Sequence, residues 1–197
     1  MRGALIVFEG LDQSGKQTQT ESLRDWIIAR GRECRLLSFP DYDTAIGGEI
    51  AKALHGERDY AADTLQLLYI ANRYEKRAAL EAALAAGTIV VCDRYMASSI
   101  AYGEAQGLDP AWLTDAQKFL PRPDLTIVLD IQPETAVERK SMGRDRYERD
   151  LALLSRVRES YRRQSVQPSW LLLNGRRPKE EVAGDVVTAA GPLLERR

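Results

Sequence analysis

Residues 10–18 read Gly10-Leu11-Asp12-Gln13-Ser14-Gly15-Lys16-Gln17-Thr18, with an apolar run over residues 4–8 before them and an amphipathic helical pattern after them. Strand, glycine-containing turn and helix in this order make a phosphate-binding loop. The glycines let successive backbone N–H groups turn inward around phosphate oxygens, the new helix offers its positive dipole end, and Lys16 reaches the β- and γ-phosphates. One position departs from the pattern. Gln17 stands where a Ser or Thr hydroxyl normally meets Mg²⁺, which weakens the metal assignment more than the phosphate assignment.

Outward from this loop, short apolar runs alternate with helical patterns five times. The predicted strands are 4–9, 35–39, 88–93, 124–131 and 170–173; the helical patterns occupy 16–30, 46–55, 63–86, 97–105, 110–119, 133–140, 147–164 and 179–195. Continuous apolarity in the strands predicts burial on both faces, as in a parallel sheet. The expected fold is α/β: a doubly wound, five-stranded parallel sheet flanked by helices, in one domain spanning 1–197. Gly31, Gly87 and Gly107 stand where helices should end. In such sheets ligands bind beyond the carboxyl ends of the strands, and the residues there are polar in this chain.

Composition narrows the function. A formal net charge of -1 gives no general basic field for nucleic acid, so clustered arginines point to local anions such as nucleotide phosphates. Cys34 and Cys92 lack metal-type spacing and read as buried thiols of a reducing compartment. With no charged leader and no apolar stretch of about 20 residues, the expectation is a cytoplasmic protein with no membrane partner. His55, the single histidine, lies in a polar stretch and reads as surface. A guanine-reading Asn-Lys-x-Asp tetrapeptide is absent, which argues against a regulatory GTPase.

The other strand ends carry Phe39-Pro40-Asp41-Tyr42 and Asp93-Arg94-Tyr95, a long helix carries Tyr69 and Arg73, and further on comes Gly143-Arg144-Asp145-Arg146-Tyr147-Glu148. With the phosphate loop, these five elements in this order resemble the thymidylate kinase family over essentially the whole chain. The resemblance implies a nucleoside monophosphate kinase that transfers the γ-phosphoryl group of ATP to thymidine monophosphate, uses Mg²⁺ and works as a homodimer. The apolar face of the 63–86 helix is the interface it suggests.

Residue types fit those roles. Lys16 would neutralise charge on the transferring phosphoryl group, with Gly10, Leu11, Asp12, Gln13, Ser14, Gly15, Gln17 and Thr18 forming the rest of the ATP cradle. Arg94 is similar to the family arginine that grips the acceptor phosphate, a task suited to a planar fork. Tyr69 and Arg73, four apart on one helical face, would stack on thymine and donate to a ring carbonyl, although an aromatic at helical spacing also suits core packing. The resemblance adds a polar residue at Ser98 or Ser99 for the base; Ser99 is shorter than the asparagine of some bacterial members. Asp12 would meet the sugar 3′-hydroxyl or help bind metal, and Tyr102 matches a ring that crowds the sugar 2′ position. Tyr42 matches a bacterial tyrosine that bonds the acceptor phosphate.

Metal candidates are Asp12, Asp93 and Glu148, with Tyr147 close to the acceptor nucleotide. Residues 139–148 resemble the family lid, which closes over phosphates and excludes water. Gln13 occupies the loop position that is arginine in some relatives, so the extra catalytic arginine should be Arg144, with Arg146 as the other choice. By the same resemblance Arg139 stacks on the donor adenine; Arg176 and Arg177 either line that edge or are solvated. Two other readings remain: a kinase for another deoxynucleotide or a nucleoside, which would change Tyr69, Arg73 and Ser99, and a nucleotide-binding module without catalysis.

Overall fold

The computed structural model describes residues 2–139 and 150–195. Among these residues the strands are β1 (Leu5–Glu9), β2 (Cys34–Ser38), β3 (Ile89–Asp93), β4 (Leu125–Asp130) and β5 (Trp170–Asn174), all parallel, in the order β2-β3-β1-β4-β5. The helices are α1 (Lys16–Ile28), α2 (Ala45–His55), α3 (Ala62–Glu75), α4 (Arg77–Ala85), α5 (Met96–Ala105), α6 (Pro110–Asp115), α7 (Pro133–Arg139), α8 (Leu151–Gln164) and α9 (Lys179–Glu195).

Side-chain alternation along β1 explains the layers. Ile6 and Phe8 pack with Leu23 and Ile27 of α1 and with Val182, Val186 and Ala190 of α9. Leu5 and Val7 face the other way, toward Leu80 and Leu84 of α4. On that second side α5 and α8 close over β4 through Ala97, Ala101, Val157 and Tyr161 around Val128. The expected doubly wound sandwich is therefore the fold. Burial on both faces holds for the three inner strands, whereas the edge strands β2 and β5 are largely half-exposed or exposed. β1 sends its connection toward β2 and β4 sends its own toward β5, so the topological switch lies beside the end of β1, where the phosphate loop begins.

Three expectations need correction. The helix read over 63–86 is two helices that break at Lys76, where the backbone N–H bonds Arg73 O across three residues. No glycine or proline marks the break. Lys76 is instead drawn to Asp41, its Nζ 2.7 Å from the carboxylate, a tertiary pairing that helical periodicity does not contain. The pattern read over 110–119 stays helical only to Asp115 and ends in turns that leave Phe119 exposed. Cys92 is buried, but Cys34 is half-buried on an edge strand; burial raises both thiols, Cys34 to about 11, and both are free. His55 is exposed, and Gly31, Gly87 and Gly107 adopt left-handed backbone at the helix ends.

Candidate active site

The phosphate loop turns where only glycine fits. Gly10 has φ +133, and a Cβ there would lie 2.5 Å from Leu129 O; Gly15, also left-handed, opens α1. Lys16 folds back over the loop, its Nζ donating to Leu11 O at 2.9 Å and more weakly to Gly10 O. Burial, together with the nearby charge of Arg94, lowers its pKa, and Asp12 and Asp93 offset part of that shift. Arg139 ties the loop to the turn after β5, donating to Gln13 O at 2.9 Å and Gly175 O at 3.2 Å. Arg177 turns away to pair with Glu181 and Asp185 of α9.

Arg94 follows β3 in left-handed backbone, φ 64, with its N–H bonded to Phe8 O at 2.8 Å. That turn swings the guanidinium across the end of β1. Nη2 donates to Asp12 at 2.8 Å, and Nη1 donates to Ser98 Oγ and to the Tyr161 hydroxyl, each at 3.1 Å. Its carbon lies 5.5 Å from the Tyr102 ring centroid. Burial opposes the charge, but Asp12, Tyr102, Tyr161 and Asp93 outweigh it and raise the pKa well above the ordinary value. Behind this group sits Glu9, fully buried. Its carboxylate accepts from Tyr95 N at 2.8 Å, Ser98 N at 3.2 Å, Ser98 Oγ at 2.6 Å and the Tyr161 hydroxyl at 3.1 Å.

Arg73 points from α3 into the same region. Nη1 donates to Ser99 Oγ at 2.7 Å and Gln117 Oε1 at 3.2 Å; no carboxylate touches it among the described residues, and burial lowers its pKa. The next residue back, Asn72, faces elsewhere. Its Oδ1 accepts from Asp41 N at 2.8 Å, and its Nδ2 donates to Asp41 O, Thr44 Oγ1 and Glu75, which anchors the turn after β2 to α3.

Two cavities result. One, about 380 Å³, runs along the phosphate loop past Asp12, Gln13, Gly15, Lys16, Gln17, Thr18 and Asp93. The other, about 100 Å³, is a slot lined by Asp12, Phe39, Pro40, Tyr42, Leu54, Gln66, Tyr69, Arg73, Arg94, Ser98, Ser99 and Tyr102. They share Asp12, Phe39, Pro40, Tyr42 and Arg94. A family model described as Thymidylate kinase matches residues 8–186. The chain belongs to the thymidylate kinase family.

Individual relatives agree. A thymidylate kinase of Arabidopsis thaliana is 40% identical over 92% of this chain and 68% of its own length. The human thymidylate kinase is 36% identical over 75% of this chain and 70% of its own. A solved thymidylate kinase from Candida albicans superposes with a TM-score of 0.88 at 28% identity, covering 98% of this chain and 94% of that one. The protein is thus an ATP-dependent nucleoside monophosphate kinase, transferring the γ-phosphoryl group of ATP to thymidine monophosphate to give ADP and thymidine diphosphate.

Eight of the nine acceptor residues expected from the sequence line the slot; the ninth, Tyr147, lies outside the described residues, as do Arg144, Arg146 and Glu148. Ser98 lines the slot but also serves Arg94 and Glu9 from its hydroxyl, and Ser99 reaches the site by holding Arg73. Glu9, Leu54, Gln66, Gln117 and Tyr161 escaped the sequence reading. Gln66 alone had a signal, since it stands three residues before Tyr69 and seven before Arg73 on one helical face.

Magnesium fits the loop cavity. Asp93 presents there an Oδ1 that is buried with no hydrogen-bond partner among the described residues, beside Asp12. Gln17 supplies no hydroxyl, its amide being bonded to Glu21. Among the described residues no three His, Cys, Asp or Glu side chains cluster as a metal cage.

Proposed function

We propose that the two cavities hold donor and acceptor of one in-line phosphoryl transfer, the triphosphate along residues 10–18 and thymidine monophosphate in the slot. The observation that carries this reading is their junction: Arg94 and Asp12 line both cavities, where the γ-phosphate and the acceptor phosphate must meet. Lys16 neutralises charge on the transferring group, and Arg94 aligns the acceptor oxygen for attack. Three of Arg94's five N–H donors are engaged within the protein, which leaves Nε–H and one Nη2–H for phosphate oxygens. Tyr69 stacks on thymine, Arg73 donates to a ring carbonyl, and Asp12 and Tyr102 face the sugar.

Asp12 and Asp93 would hold magnesium with the nucleotide, and Glu148 is a further ligand by resemblance. The chemistry such an ion supplies when bound is neutralisation of phosphate charge. Residues 139–148 act as the lid in a single kinase unit spanning 1–197, with Arg144 as its catalytic arginine, because Gln13 brings no charge to the loop. Exposed Leu67 on α3 is in keeping with the homodimer implied by the resemblance. A cytoplasmic location is part of the same proposal; no helix among the described residues is long and apolar enough to cross a membrane.

ADP release from ATP and Mg²⁺ with a panel of nucleoside monophosphates tests this assignment. Selective turnover of thymidine monophosphate is expected, with kcat lost in Arg144→Ala and acceptor preference relaxed in Arg73→Ala. Equal rates on other acceptors in the unaltered protein would overturn it.

A further inference from the structure

Gln66 is 1% exposed, lines the acceptor slot, and has both Nε2 and Oε1 buried with no hydrogen-bond partner among the described residues. Buried amides are ordinarily satisfied, so this one awaits a partner that offers a donor and an acceptor side by side. Arg73, two turns further along the same face of α3, has Nη1 engaged but leaves Nε buried and unpaired. The slot therefore contains two sets of unmet polar groups of different character: donors only at Arg73, a donor and an acceptor at Gln66.

Their placement distinguishes the two ends of a base. Arg73 bonds Ser99 of α5, while the Gln66 Cγ lies 3.4 Å from where a Cβ on Gly103 would be, one turn later on α5. The two helices thus run antiparallel across the slot, with Arg73 and Gln66 at opposite ends, about 10 Å apart along α3. Tyr102, which faces the sugar under the function proposed above, stands one residue before Gly103 on α5, and this assigns the Gln66 end to the sugar.

We propose that Gln66 reads the acceptor base, its amide accepting from N3–H and donating to O2 of thymine while Arg73 donates to O4. This inference rests on the thymidine monophosphate reading and extends it to how related bases are refused. Cytosine would turn a 4-amino donor toward Arg73, which can only donate, and would present N3 and O2, both acceptors, to an amide that can satisfy one of them. Two independent mismatches would oppose it.

The test compares wild type with Gln66→Met, close in size but unable to hydrogen-bond, on the monophosphates of thymidine, deoxyuridine and deoxycytidine. Loss of paired hydrogen bonds to a buried base edge predicts a fall of roughly 10- to 50-fold in kcat/KM for thymidine monophosphate, mainly in KM, with an unchanged KM for ATP. The thymidine-to-deoxycytidine preference should fall by a similar factor, and deoxyuridine monophosphate should lose as much as thymidine monophosphate, since both share N3–H and O2. An unchanged preference would overturn the inference. A wild type that does not favour thymidine monophosphate would instead overturn the acceptor reading beneath it. In case Gln66→Met fails to fold, wild-type NMR with ¹⁵N3-labelled thymidine monophosphate gives a second answer: a contact between the bound imino proton and the Gln66 side-chain NH₂ is expected, and its absence refutes the assignment.

Discussion

Removing one oxygen atom in Tyr161→Phe should loosen the grip on the acceptor phosphate without touching the nucleotide. Tyr161 lies 67 residues from Arg94 in sequence, yet its hydroxyl accepts from Arg94 Nη1 and donates to Glu9. A hydrogen bond to a charged group contributes about 1.5–3 kcal/mol. Arg94 would still be held by Asp12 and Ser98, so the lower end applies, roughly tenfold in kcat/KM for thymidine monophosphate. Ser98→Ala should cost a similar amount, because Ser98 Oγ makes the parallel bond to Nη1 and is itself tied to Glu9. With both hydroxyls gone, Arg94 keeps only Asp12, and the double variant should fall below the sum of the single effects by at least about 0.5 kcal/mol, as expected for neighbours in one network. Steady-state kinetics at saturating ATP, paired with calorimetric binding of thymidine and of its monophosphate, separate the causes. Nucleoside affinity should hold while the added affinity from the phosphate shrinks. Equal losses for nucleoside and nucleotide, or strict additivity, would show that the Glu9 cluster only supports the fold.

Adjacent glycines in α2 should respond in opposite directions. A Cβ on Gly47 would lie 1.8 Å from Asp41 O, so Gly47→Ala should destabilise by about 2–3 kcal/mol through overpacking, whereas Gly48 faces open space and Gly48→Ala should stabilise by about 0.5–1 kcal/mol; chemical denaturation measures both. The lowered pKa of Lys16 predicts an alkaline limb in kcat/KM for ATP at a pH below 10.5, because the free enzyme loses the ammonium charge as pH rises through that lowered value. Lys16→Arg should abolish the limb at whatever rate remains, and a limb that persists belongs to another group.

Legibility followed the range of the interaction. The phosphate loop is a contiguous strand, turn and helix, and Tyr69 and Arg73 share a face by helical spacing alone, so both could be read from neighbouring residues. The inner strands were continuous apolar runs. What escaped is long-range: Glu9 meets Tyr161 across 152 residues, Gln117 meets Arg73 across 44, and the helix break falls at Lys76, the residue that pairs with Asp41. A buried polar side chain has no periodicity to betray its partner. The edge strands looked like inner ones because their leucines do not record whether another strand lies beyond them.

Asn72 does not line the slot, yet it clamps the Asp41 turn to the helix that carries Tyr69 and Arg73. The gap between those walls is therefore a gauge set by a strut, not by the guest. Chemistry and size are controlled from separate places: the donors facing the slot select which groups a ring presents, and the strut selects how large that ring is. A kinase of this build that came to accept a fused purine ring would have to lengthen or release the strut before any change among its base-facing residues became useful.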